Sequence, residues 1–422
     1  MRAGRTAGRG IGLQRTDCVV IGGGPAGMVL GLLLARAGVN VTVLEKHADF
    51  LRDFRGDTVH PSTLSLLDEL GLGDRFAALP QRWIDQVQFP VGPGGELFTV
   101  SDFQTLPGPH NHIAMVPQWD LLDLLADAAK QEPGFALRMS TEVTGLLKEG
   151  DRVNGVHYRT ADGDTGELRA NLTVACDGRA SLARELPELG LRDFPCPMDA
   201  WWFRLPRHDG DPRGLVAQVG DRFFVPMFDR GDFWQCAAII PKGADPEMRA
   251  AGLDRFRERV DRAAPWMRGR LDALSSWDEV KLLDVRLDRL QRWHRPGLLC
   301  IGDAAHAMSP VGGIGINLAV QDGVAAARHL AGPLRAGGVG LTDVRRVQRR
   351  RWPTTVLTQR LQDTLHRKVV EPILRGRVEL GETATVPLPF RAINKAPWLR
   401  RVPAYFLAYG AMRERPPSAA LR

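Results

Sequence analysis

The sequence predicts an α/β protein in which helices flank a parallel sheet, an antiparallel sheet is inserted, and the C-terminus is helical. Three observations carry that expectation. A strand, a glycine turn, a helix and a second strand follow one another between Asp17 and Glu45. Short apolar strands recur at Leu172 to Cys176 and Leu298 to Cys300. From Asp193 to roughly Val280 the texture changes to aromatic and β-branched runs broken by Gly, Asp and Pro.

In the first unit, Val19 to Ile21 are apolar and β-branched, as in a strand buried on both faces. Gly22, Gly24 and Gly27 then give G-x-G-x-x-G, with Pro25 and Ala26 at the helix start. The first glycine permits the tight turn and the second lets a pyrophosphate approach the backbone. The third lets the helix pack on the strand. Leu30 to Arg36 continues at helical spacing, Gly38 stops it, and Val41 to Leu44 reads as the second strand. Glu45 ends that strand where a carboxylate takes ribose hydroxyls, with Lys46 beside it. The unit is a Rossmann-like fingerprint for an adenine dinucleotide.

Arg52, Arg55 and Gly56 fall in a loop at the carboxyl ends of the strands, where Arg55 above all suits a pyrophosphate. A helix is expected from Thr63 to Leu70 and a hairpin from Trp83 to Val100 around Gly92-Pro93-Gly94-Gly95. An amphipathic helix follows from Val116, burying Leu121, Leu122 and Leu125, with Gln118 near its start facing either a cofactor or water. From Ala136 to Val174 strands return, with Asn154-Gly155 and Asp162-Gly163 as turn signals. The strand ending at Cys176 runs into Asp177, Gly178, Ser181 and Arg184. In the inserted sheet, capped by a helix near Leu253 to Ala263, Trp202, Arg204, Phe224, Met227 and Trp234 are candidate pocket residues. The last buried strand leads to Gly302 and Asp303. Pro310, Gly312, Gly313, Gly315, Ile316 and Asn317 follow at the start of a further helix.

The expected domains are a basic arm at 1–16; a cofactor domain at 17–75, 106–190 and 281–340; a sheet domain at 76–105 and 191–280; and a helical region at 341–422. The formal charge of +7 comes from scattered, mixed residues apart from Arg345 to Arg351, so no nucleic-acid footprint is evident and the excess suits anionic cofactors. No apolar run approaches the roughly 20 residues of a membrane span. Five cysteines without paired spacing argue for a reducing cytoplasm and against a disulfide or metal framework.

Three motifs in fixed order now carry a resemblance: G-x-G-x-x-G, Asp177-Gly178-x-x-Ser181-x-x-Arg184, and Gly302-Asp303-Ala304-Ala305-His306 with its proline and glycine loop. The chain resembles the single-component (group A) FAD-dependent monooxygenases, the para-hydroxybenzoate hydroxylase family, from about Asp17 to Leu330. The resemblance implies a glutathione-reductase-type FAD domain, non-covalent FAD, and NADPH or NADH and O2 as co-substrates. It implies oxygen insertion through a C4a-hydroperoxyflavin into a small organic substrate, aromatic or polyketide- or terpenoid-like. By the same resemblance, Gly22, Gly24 and Gly27 hold the FAD pyrophosphate and Glu45 the adenosine ribose. Arg55 and Gln118, with Arg52, line the FAD, and Asp177, Gly178, Ser181 and Arg184 serve FAD and NAD(P)H. Asp303 takes the ribityl chain, and Pro310 through Asn317 pass beside the isoalloxazine. His306 reads as a structural hydrogen-bonder, and no acid or base for the substrate stands out. A reductase of the geranylgeranyl-reductase type, without oxygenation, remains the alternative.

Overall fold

The computed structural model describes residues 14–51, 57–91, 96–212, 214–220, 223–376 and 396–421. Its organising element is a sheet in which Leu298–Cys300, Thr165–Ala175, Gln14–Ile21, Val41–Leu44 and Phe135–Arg138 lie side by side and parallel. The first strand begins at Gln14, inside the stretch expected as a loose arm. There Gln14 to Thr16 pair with Leu168 to Ala170 of the longer neighbouring strand. Thr16 Oγ1 also donates to Asn40 O at 2.9 Å.

Pro25–Arg36 is buried on nearly every side, from Ala26 to Ala35, because the sheet covers one face and the helix Gly315–Arg335 the other. That double cover explains its run of leucines, which an amphipathic surface helix would not carry. Gly38, at φ +80°, ends the helix as expected. Asn154-Gly155 is not a turn. It lies inside the strand Arg152–Thr160, at a register shift against Thr141–Glu149. A Cβ on Gly155 would sit 2.2 Å from Leu168 O, so the glycine serves a close strand approach.

The second sheet runs Leu215–Gly220, Phe223–Asp229, Phe233–Pro241, Met198–Pro206, Lys281–Leu283, all antiparallel. Lys281–Leu283 was expected in the first domain, and Leu191–Asp193 in the second. The latter instead pairs with Asp288–Leu290 beside the cofactor domain. The hairpin Gln86–Val91 with Glu96–Asp102 lies next to Leu215–Gly220, and its expected turn falls outside the described residues.

Strand alternation gives the second sheet two distinct faces. Trp201, Phe203, Leu205, Val225, Met227, Trp234, Cys236 and Ala238 pack under the helix Leu253–Ala263, against Phe256 and Val260. Met227 and Trp234 therefore belong to a closed core and not to a pocket. Phe224 and Met227 are an odd number of residues apart and cannot share a face. Trp234 Nε1 donates to Asp211 at 2.9 Å, which completes its burial. Trp202, Arg204, Phe224 and Phe228 occupy the opposite face, with Gln235 and Ile239 between them.

At the C-terminal end, Leu341–Leu365 packs along Gly315–Arg335, and Arg401–Tyr409 closes over the hairpin through Ala404, Ala408 and Tyr409. Trp234→Ala is expected to cost about 3–5 kcal/mol of unfolding free energy in urea titrations while FAD stays bound; loss of substrate affinity at unchanged stability would contradict the core placement.

Candidate functional site

The glycine turn has the geometry its spacing demands. Gly22 adopts φ +97°, and a Cβ there would meet Asp177 Cα and Cys176 O at 2.8 Å. On Gly27 it would lie 2.1 Å from Gly22 O. Gly24 differs, because a Cβ would meet nothing within 4 Å. The first and third glycines let the chain pack on itself, and the second lines open space at a helix N-terminus. Pro25 carries no N–H there and no side chain caps the helix, so the free N–H groups of the first turn are available to an anion. Glu45 is buried beside the turn, accepting from Gly23 N at 2.8 Å and His47 N at 3.0 Å. Lys46 is exposed at the rim.

The second and third motifs meet across this turn. Gly302, at φ +59°, has its missing Cβ 3.3 Å from Ala26 and 3.5 Å from Ala319, so Asp303 is set between two helix starts. Asp303 is half-buried, burial raises its proton affinity, and among the described residues its carboxylate takes no hydrogen bond. Asp177 is similar. Burial raises it, the Ser181 hydroxyl pulls the other way, and its Oδ1 is sealed without a partner among the described residues. Gly178 is at φ +79° with open space beside it. Asp303, a carboxylate short of donors at the edge of an anion-binding turn, fits the hydroxyls of a dinucleotide, while Asp177 is held by Ser181 and the Leu182 N–H.

Arg184 does something other than expected. Its guanidinium donates to Asp303 O at 2.6 Å and pairs with the buried Asp288 at 2.5 Å. It is spent on protein groups and positions Asp303, because the strand pairing of Leu191–Asp193 with Asp288–Leu290 brings Asp288 under it.

Beneath Gly302 lies a group that the sequence reading did not single out. Asp322 is fully buried in Gly315–Arg335. Its Oδ2 accepts from Gly302 N at 3.0 Å and His306 Nε2 at 2.7 Å, and its Oδ1 from Arg351 Nε at 2.7 Å. Burial alone would raise this carboxyl, but His306 and Arg351 hold it down at about 2. Arg351, itself 0% exposed, also pairs with Glu414 at 3.3 Å. The available signal was an acid within a small-residue apolar helix and an arginine run whose members do different work. His306 is the structural hydrogen-bonder the motif implied.

The loop at Pro310 to Ile314 ends at the start of Gly315–Arg335, where no side chain caps the helix and Gly315 faces open space. Gly312 and Gly313 adopt φ +85° and +63°. Gly313 O accepts from Thr58 Oγ1 at 2.9 Å and lies 3.0 Å from His60 Nε2. Asn317 is turned inward, its Oδ1 accepting from Ser62 Oγ at 2.6 Å and Thr63 Oγ1 at 3.1 Å. Its side chain ties two helices together. Ile316 packs against the main core.

Opposite this loop stands the outer face of the second sheet. Val311 packs in one apolar cluster with Trp202 and Phe224, and Trp202 stacks on Phe228 at 6.1 Å. Arg204 is exposed on the same face, over the Phe233 ring at 4.4 Å. Asp57, next to Thr58, pairs with Arg230 of this sheet at 3.1 Å, both buried. Burial raises Asp57 despite Arg230, the Gln118 N–H and Gln235. Gln118 thus contributes its backbone to Asp57. Arg52 and Arg55 lie outside the described residues. Among the described residues no His, Cys, Asp and Glu group could hold a metal, and no helix is long and apolar enough to cross a membrane.

Residues 15–360 match the family described as FAD binding domain. The 6-methylpretetramide 4-monooxygenase of Streptomyces rimosus is 32% identical over 400 residues, covering 94% of this chain and 92% of that protein. The 12-dehydrotetracycline 5-monooxygenase/anhydrotetracycline 6-monooxygenase of the same species is 31% identical over 74% of this chain, which spans 61% of that relative's length. Among solved structures, p-nitrophenol 4-monooxygenase of Pseudomonas putida superposes with a TM-score of 0.72 at 22% identity, over 93% of this chain and 98% of that one.

Asp303→Ala is expected to weaken FAD binding about 10- to 100-fold, read by fluorescence titration, since a charge-assisted bond is lost. Gly24→Val is expected to abolish FAD binding without unfolding. Gly27→Ala destabilises the apoprotein by about 1–3 kcal/mol, a contrast that thermal melts resolve. The Asp322 carboxyl lies below its ordinary 3.8, so its stabilising contribution is present above that value and is lost as pH falls towards about 2. Acid titration should show Asp322→Asn losing this part of the acid transition, at a cost near neutrality of about 3–5 kcal/mol from the broken buried pair with Arg351.

Proposed function

The chain belongs to the FAD-binding-domain family of flavin-dependent monooxygenases, and from that premise we propose that it inserts one oxygen atom from O2 into a fused aromatic, polyketide-type substrate at the expense of NAD(P)H. One observation carries the substrate class. An aromatic wall of Trp202, Phe224 and Phe228, edged by Arg204 and Gln235, faces the loop at Pro310 to Ile314. The near full-length similarity to a monooxygenase of 6-methylpretetramide supports it, and supports oxygenation over reduction alone.

The chain's own residues divide the work. Gly24 and the free N–H groups after it bind the pyrophosphate, Glu45 the adenosine ribose, and Asp303 the ribityl hydroxyls, with Asp303 held in place by Gly302 and Arg184. The uncapped N-terminus of Gly315–Arg335 would favour negative charge on a flavin ring held beside the Pro310 to Ile314 loop. When bound, FAD supplies hydride acceptance and oxygen activation. Trp202, Phe224 and Phe228 hold the planar substrate and exclude water, which protects the oxygenating step. Arg204, exposed at the edge of the wall, donates to a ring oxygen and sets which carbon faces the flavin. Five cysteines, all unpaired in the structure, support work in a reducing cytoplasm.

The test is turnover of a polyhydroxylated anthraquinone by the purified holoenzyme with NADPH under isotopically labelled dioxygen. One labelled atom per product molecule is expected. NADPH oxidation yielding only hydrogen peroxide with every fused aromatic tried would sink the substrate class. Phe224→Ala should lower kcat/KM about 10-fold or more through lost wall contact, with FAD content unchanged.

A further inference from the structure

His60 is fully buried between two backbone carbonyls, with Nδ1 2.8 Å from Leu407 O and Nε2 3.0 Å from Gly313 O. A neutral imidazole carries one N–H and one lone pair, so it can satisfy only one of them. The other carbonyl then faces a lone pair at hydrogen-bond distance, even though Gly313 O also accepts from Thr58 Oγ1. An imidazolium satisfies both. Gly313 belongs to the loop beside the flavin, and Leu407 to the C-terminal helix Arg401–Tyr409. The ring therefore joins two segments that lie far apart in sequence.

We propose that His60 is a positioning residue that takes up one proton from solvent when the flavin is reduced, clamping the flavin-side loop to the C-terminal helix with two N–H donors. The inference rests on the flavin reading above. The titratable and charged groups on the surrounding elements are Asp57, already paired with Arg230; Asp68 and Glu69 on its own helix; Asp322, Arg328, His329 and Arg335 on Gly315–Arg335; and Arg401, Tyr405 and Tyr409 on the C-terminal helix. None of them acts on the ring, and the loop from Pro310 to Ile316 carries no charge. Burial lowers the proton affinity of His60, while its two carbonyl neighbours pull the other way. Burial thus favours the neutral ring while the site is uncharged. Reduction by NADPH delivers a hydride, two electrons and one proton, and leaves a negative charge on the flavin. That charge is the counter-ion a buried imidazolium needs. On reoxidation the proton returns to solvent.

Reductive titration of the holoenzyme from about pH 6 to about pH 8, the range of histidine switching, tests this. Wild type is expected to take up one proton more per two electrons than His60→Gln. Its midpoint potential then falls about 30 mV more per pH unit, a tenfold change at two electrons being 29.6 mV. Equal slopes overturn the proposal. Nitrogen shifts of the labelled His60 ring in wild type provide a second measurement that needs no variant. Neutral in oxidised protein and doubly protonated after dithionite supports the clamp, and neutral in both overturns it. A protein that binds no FAD would instead defeat the flavin reading itself.

Discussion

A carboxylate without water around it holds the cofactor side of this protein together. Asp322 accepts from the Gly302 N–H, from His306 and from Arg351, all in the interior. Ionised and buried, it would be costly without these donors, and removing any one of them strands a charge. Because one donor is the backbone of Gly302, the network fixes where the chain turns after Leu298–Cys300 and so where Asp303 stands. Because another is Arg351, the helix Leu341–Leu365 is tied to that turn. Through Glu414, which pairs with Arg351 and donates its N–H to Gln321, the C-terminal tail is tied to it as well. A segment far along the chain thereby sets the position of a motif near residue 303.

The second joint is the run Asp57 to His60. Asp57 reaches Arg230 of the inserted sheet, and Thr58 and His60 hold Gly313 O. Four neighbouring residues thus link the outer face of the inserted sheet, the loop at Pro310 to Ile314 and the C-terminal helix.

Much of the fold was legible because the relevant rules are local. Gly22 and Gly27 announce a turn whose close approaches only glycine tolerates, and the structure puts backbone atoms within 2.8 Å and 2.1 Å of the missing side chains. The helix Leu253–Ala263 falls on its expected residues because its apolar positions repeat at helical spacing. Asn154-Gly155 misled because the same dipeptide suits a hairpin turn and a strand bulge, and a strand partner decides between them. Met227 and Trp234 misled for a related reason. Alternation shows that a strand has two faces but not which of them a helix will cover.

The sequence by itself determined the cofactor class and the order of the elements, since a glycine turn, a strand end and a capless helix start are properties of neighbouring residues. Only the tertiary structure decided which polar groups meet. Arg184 was expected to reach the cofactor and is claimed by Asp288, while Asn317 is claimed by Ser62 and Thr63. Asp322, Arg351, Asp57, Arg230 and His60 gained their roles from partners distant in the chain. A buried charge or a two-sided imidazole is defined by what surrounds it in space, and no local pattern of residue types encodes that surrounding.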